Sequence, residues 1–135
     1  MSEQDCLFCK IVAGEVPAQI VEEDQHTVAF MDINPATRGH ALVVPRRHTA
    51  DLLEIGDDDL AVTILAAKRL SARMMERLGA DGVNLINGCR PVAWQTVFHF
   101  HVHVIPRYRG DSMRPPWRPA PGDPQQIAAV AEALR

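Results

Sequence analysis

The sequence contains no apolar run approaching the ~20 residues a membrane-crossing helix needs, so no membrane anchor is expected. Its opening, Met1-Ser2-Glu3-Gln4-Asp5-Cys6, lacks the basic and apolar segments of a secretory signal, and a cytoplasmic location is the expectation. Basic residues are not in surplus. Fourteen Lys and Arg against seventeen Asp and Glu give a net charge of −3, which argues against a nucleic-acid-binding surface. No block of like charge is longer than Asp57-Asp58-Asp59, and no internal repeat is present. Three cysteines are too few, and odd in number, for a disulfide framework.

What is present suits a small folded unit. A 135-residue chain that is 47% hydrophobic can bury a real core, and 23% charged residues argue against wholesale disorder. The expectation is one domain over 1–135, with a core at about 5–109 and a Pro-rich tail and terminal helix over 110–135. The unusual components are six histidines and a Cys6-x-x-Cys9 pair.

Leu7, Phe8, Ile11 and Val12 fall at helical spacing over 6–13, with Asp5 as N-cap and Gly14 as stop. On that helix both thiols project from one face, a spacing that serves a redox pair or half of a metal site. Strands are predicted over 19–23, 27–32, 40–45, 83–87 and 97–105. A long helix follows Gly56, opened by three aspartates, closed by Gly79, and striped by Leu60, Ile64, Ala67, Met74 and Leu78. Six of the ten prolines lie between Pro106 and Pro124, which predicts an irregular tail, and a last helix starts at Pro124 behind Asp123. The fold class is therefore α+β with a largely antiparallel five-stranded sheet, one long helix and short terminal helices.

The segment Val97-Phe98-His99-Phe100-His101-Val102-His103-Val104-Ile105 is the most informative. Strand alternation puts His99, His101 and His103 on one side, roughly 6.5–7 Å apart, and the phenylalanines and valines on the other. A merely solvated strand face favours Thr, Lys or Glu, so three alternating histidines point to chemistry. His-x-His can supply two imidazoles to a catalytic metal. Alternatively, the row can supply a nucleophile and proton-handling neighbours for phosphoryl transfer.

His99-Phe100-His101-Val102-His103-Val104-Ile105 resembles the signature of the histidine triad (HIT) nucleotide hydrolases and transferases. Phe30-Met31-Asp32-Ile33-Asn34-Pro35 is similar to that family's ribose-binding strand end. The segment from Gly39 to His48 and the pairs Asn87-Gly88 and Gln95-Thr96 extend the resemblance over roughly 5–109. It is strongest to the small dimeric nucleotide-binding branch.

The resemblance implies His101 as the nucleophile toward an α-phosphate, forming a covalent nucleotidyl-histidine that water then hydrolyses. His103, Gln95, Thr96 and Asn87 would contact the phosphate or leaving group, and Asp32 the ribose hydroxyls. A turn cap before Asn34-Pro35 is the alternative for Asp32. Leu7, Phe8, Ile11, Phe30 and Ile33 would enclose the base, or serve as plain core. Cys6, Cys9, His48 and His99 would form a closed structural Zn2+ site, with no catalytic metal. The implied substrates are conjugates of a purine nucleoside monophosphate, adenosine or guanosine, foremost the 5′-phosphoramidates. Dinucleoside polyphosphate cleavage and nucleotide binding with little turnover are the alternatives, and the implied assembly is a homodimer. One residue departs from the pattern: Trp94 stands where family members commonly have glycine, directly before Gln95-Thr96.

Overall fold

The structure is a computed structural model that describes residues 3–135; Met1 and Ser2, the first residues of the expected domain, lie outside the described residues. Among them, no helix is long and apolar enough to cross a membrane. Five strands form one antiparallel sheet: β1 (Ile20–Glu23), β2 (Thr27–Met31), β3 (Ala41–Pro45), β4 (Gly82–Ile86) and β5 (Val102–Arg107), in spatial order β1-β2-β3-β5-β4. The helices are α1 (Leu7–Val12), α2 (Asp57–Leu78) and α3 (Pro124–Leu134).

The sheet is covered on both faces, so β2 and β3 read as nearly continuous apolar runs rather than alternating ones. Ala29, Ala41, Val43, Val102 and Val104 pack under α2 with Ala66, Ala67, Leu70 and Met74. Val28, Phe30, Leu42 and Val44 point to the other side and meet Phe8 and Ile11 of α1. Leu60, Ala67, Met74 and Leu78 of the expected α2 stripe pack on the core, but Ile64 is 40% exposed and Thr63, Ala66 and Leu70 are buried instead. Small residues let the helix lie close to the sheet, and closeness rather than side-chain size sets the buried face. The helix ends as expected, with Gly79 left-handed at φ 68° and its N–H returning to the Met74 carbonyl.

At α1 the cap is Cys6 rather than the expected Asp5: the Cys6 sulfur accepts from the Cys9 N–H at 3.4 Å. At α3 the expected cap is present, Asp123 accepting from the Gln125 N–H.

The largest departure concerns the histidine segment. The β3–β5 ladder pairs only Ala41–Val43 with Val104–Val102, and 97–101 is not strand. Beyond Val43, β3 offers Pro45, which has no N–H to donate. The segment is fastened otherwise: the Phe100 N–H reaches the Thr49 carbonyl at 2.7 Å, and the His99 ring donates to the Pro45 carbonyl at 2.8 Å. The facial alternation nonetheless persists. Phe100 joins Val102 and Val104 under α2, while His99 and His101 face Phe8 on the α1 side. Strand β5 also runs further than expected, through Pro106, which pairs with Val83 where β3 no longer flanks it.

Candidate functional site

Two cavities meet at the end of the sheet, and His101 and His103 line both. The larger, about 370 Å³, lies between α1, the end of β2 and the following loop. Leu7, Phe8, Ile11, Phe30 and Ile33 line it, with Asp32, Thr96 and the two histidines at its polar end. This brings the five apolar candidates around one slot, an arrangement their separation in sequence does not reveal.

Hydrogen bonding settles which ring nitrogens are free. His101 Nδ1 lies 2.7 Å from the His99 carbonyl, which can only accept, so Nδ1 carries the proton and Nε2 keeps its lone pair. Burial pushes the His101 pKa down, against the opposing pull of the His99 carbonyl and Asp32, and favours this neutral form. His40 Nδ1 accepts from the Ala36 N–H at 2.9 Å. Neutral His40 therefore has its proton on Nε2, which sits 2.9 Å from His103 Nδ1. It follows that neutral His103 presents Nε2–H as a donor. Burial, with His101 and His40 adding to it, brings His103 down to about 4; His40 is lowered chiefly by burial.

Asp32 serves two partners. One oxygen accepts from the Asn34 N–H at 2.8 Å, the turn cap weighed from sequence, and the other lies 3.5 Å from His40 Nε2 and 4.0 Å from His103 Nδ1. Asp32, His40 and His103 are close enough together to hold an ion. The hydrogen bonds already made by His40 account for its orientation. His40, which the sequence reading left unassigned between substrate contact and packing beneath the sheet, is brought against His103. Its position directly before β3 was the one signal for it.

The other polar candidates are arranged less directly. The buried Gln95 amide donates to the Ala50 and Val97 carbonyls and accepts from the Arg90 N–H at 2.7 Å, so it braces the loop over 88–97. Asn87 Nδ2 donates to the His101 carbonyl at 2.9 Å and holds the backbone of the central histidine. Thr96 is exposed at the cavity rim.

Behind the triad, the ligand atoms of Cys6, Cys9, His48 and His99 all lie within 4.8 Å of one another and could hold a metal. Sγ–Nδ1 separations are 3.4 Å for Cys6–His99, 3.4 Å for Cys9–His99 and 3.3 Å for Cys9–His48. A tetrahedral zinc with bonds of about 2.3 Å to sulfur and 2.0–2.1 Å to nitrogen would hold such atoms about 3.5 Å apart. The donor set fits. His99 Nε2–H points to the Pro45 carbonyl, which leaves Nδ1 as the lone pair toward the thiols. Burial and the adjoining Cys6 thiol push Cys9 up to about 12.

Comparison with known proteins finds relatives over most of the chain. The family pattern described as the HIT domain matches residues 13–110. An uncharacterized HIT-like protein of Methanocaldococcus jannaschii is 48% identical over 106 residues, spanning 78% of this chain and 81% of the relative. The crystal structure of a zinc-bound histidine triad family protein from Mycobacterium smegmatis is 36% identical and superposes with a TM-score of 0.80, covering 98% of both chains. A histidine triad nucleotide-binding protein from Candida albicans is 29% identical, with a TM-score of 0.84 over 96% of this chain and 94% of its own.

The lowered His103 predicts an acid-sensitive fold. His103 falls to about 4, whereas an unfolded imidazole takes its proton near 6.5. Between those values only the unfolded chain binds this proton. Stability is therefore complete above pH ~6.5 and is lost as the pH falls through ~4. Urea midpoints measured at about pH 7.5, 6 and 5 should decline in that order, and equal midpoints would contradict burial as the cause.

Proposed function

Because the chain belongs to the HIT family, we propose that it hydrolyses conjugates of a purine nucleoside 5′-monophosphate, foremost the phosphoramidates, through a nucleotidyl-histidine on His101. The observation that carries this reading is the His101 tautomer. Its Nδ1–H is held by the His99 carbonyl at 2.7 Å, so a neutral, unprotonated Nε2 stands beside an apolar slot of nucleobase size.

The base lies between α1 and the end of β2, and Asp32 Oδ2 receives the ribose hydroxyls at the polar end of the slot. The α-phosphate then rests between His101 and His103. His101 Nε2 attacks phosphorus, the new N–P bond forms as the P–N bond to the amine breaks, and the amine must leave with a proton. His103 Nε2–H is the donor placed for it, and His40 Nε2–H can replace that proton through His103 Nδ1, 2.9 Å away. Water next attacks the phosphorus of the nucleotidyl-histidine. Its oxygen stays on phosphorus, one of its protons restores the histidine pair, the other passes to the released amine, and the N–P electron pair returns to His101 Nε2, which is left unchanged. The net reaction takes up one water and yields nucleoside monophosphate and protonated amine. Gln95 and Asn87 act by positioning the loop and the His101 backbone rather than by touching the phosphate.

The metal in this reading is structural zinc on Cys6, Cys9, His48 and His99, tying α1 to the end of β3 and the first triad histidine. A closed four-ligand site of this kind supplies folding energy rather than chemistry. A homodimer belongs to the same reading. β4 is a sheet edge carrying the half-exposed Leu85, and α2 leaves Ile64, Leu65 and Met75 uncovered.

Three measurements test these statements. His101→Asn should abolish release of monophosphate from adenosine 5′-phosphoramidate while AMP still binds; turnover near the parent level would refute the nucleophile. Metal analysis should find one zinc per chain, lost in Cys9→Ser together with a lower melting temperature. Substoichiometric zinc, with the fold intact after chelation, would end the structural-zinc assignment. Sedimentation velocity should give twice the chain mass, and a monomer at all concentrations would overturn the dimer.

A further inference from the structure

The second cavity, about 240 Å³, lies across the histidine pair from the base slot. His101 and His103 line both cavities, so a phosphate held between the two rings has the base slot on one side and this cavity on the other. Beside His40, Gly88 and Gln95, its remaining walls are apolar: Ile86, Ile105, Ala93 and Trp94. No lysine or arginine lines it.

Trp94 is held there by a specific local architecture. A single 3-10 turn over Pro91–Ala93 folds back so closely that a Cβ on Gly88 would strike the Ala93 carbonyl. The turn leaves Trp94 left-handed at φ 77° and Arg90 at φ 82°, conformations a non-glycine residue adopts only under strain. Several ties keep the loop in place. Arg90 Nε meets the buried Asp51 at 2.7 Å, the Arg90 N–H meets Gln95 Oε1 at 2.7 Å, and the Trp94 N–H meets the Pro91 carbonyl at 3.0 Å. The Trp94 side chain itself is 69% exposed, so it is not held by core packing. A large, solvent-facing ring at a strained position beside an apolar cavity has a use in contact with a ligand.

Taking the phosphoramidate reading as its premise, we propose that this cavity receives the leaving group and that Trp94 selects leaving groups bearing a flat aromatic ring over those bearing phosphates. The indole supplies a stacking face, Ile86 and Ile105 supply apolar walls, and no lining cation is present to meet a polyphosphate. The dinucleoside polyphosphates are thereby disfavoured by the same cavity.

The test compares kcat/KM for three substrates: the 2-phenylethyl and the butyl amidates of adenosine 5′-monophosphate, and diadenosine tetraphosphate. The comparison is made in the parent protein, Trp94→Gly and Trp94→Leu. Glycine fits the positive φ, while leucine keeps the backbone demand and removes the ring, so ring and loop effects separate. The ratio of phenylethyl to butyl turnover should fall about threefold to tenfold in both variants, the range expected for one aromatic contact. Differences in amine reactivity cancel in that comparison. A ratio equal in all three proteins would overturn the role of Trp94, and so would faster parental cleavage of the tetraphosphate than of the phenylethyl amidate. If the parent cleaves neither amidate, the proposed function falls first and the leaving-group assignment with it.

Discussion

The hydrogen bond from His99 Nε2–H to the Pro45 carbonyl, 2.8 Å long and wholly removed from solvent, is the contact on which the site depends. It occurs where the β3–β5 ladder has ended, and it replaces pairing that Pro45 cannot provide. By fixing the proton on Nε2 it turns Nδ1 toward Cys6 and Cys9, so the N-terminal helix is held to the sheet through sulfur. The His99 carbonyl, held in the same segment, then receives the His101 Nδ1–H. The Cys6, Cys9, His48 and His99 cluster, the helix attachment and the free Nε2 of His101 all follow from one ring orientation.

The second organising principle is neutrality. His40, His99, His101 and His103 are all pushed below their ordinary range, with burial as the largest cause in each. Imidazoles near one another repel when protonated, and burial raises that penalty. Neutral rings can alternate as donor and acceptor, giving a chain from the Ala36 N–H through His40 to His103. Asp32 stands alongside with one oxygen committed to its own turn. It can steady positive charge as it develops without holding a permanent ion pair. Phe8 packs edge-on against both His99 and His101, so the helix that carries Cys9 also shields His101 from water.

The loop over 88–95 shows the opposite economy. There the backbone is strained at two residues, and a network of polar ties to Asp51 and Gln95 holds it. Gln95, read from sequence as a phosphate contact, spends its amide on that network. The loop's shape is therefore overdetermined by its anchors, which is the usual condition for strain to persist beside a site.

Much of this was legible in the sequence because it rests on local rules. Strand runs between turn residues, three aspartates before and a glycine after α2, and Asp123 before Pro124 located most elements within a few residues. The His-x-His-x-His alternation correctly assigned faces, since that depends only on successive side chains pointing oppositely. Tertiary structure decided what local rules cannot reach. Whether 97–101 joins a ladder depended on a proline in another strand, and Cys6 rather than Asp5 caps α1 because its sulfur is held at a shared cluster. The buried stripe of α2 passes through Leu70 and not Ile64, since the approach of helix to sheet selects the face. The proton positions on four imidazoles, and hence which nitrogen is free to react, follow from carbonyl and amide partners as far as 54 residues away in sequence, as for His99 and Pro45. Residue type and spacing specify which groups are available; only the folded backbone determines which of their atoms are already engaged.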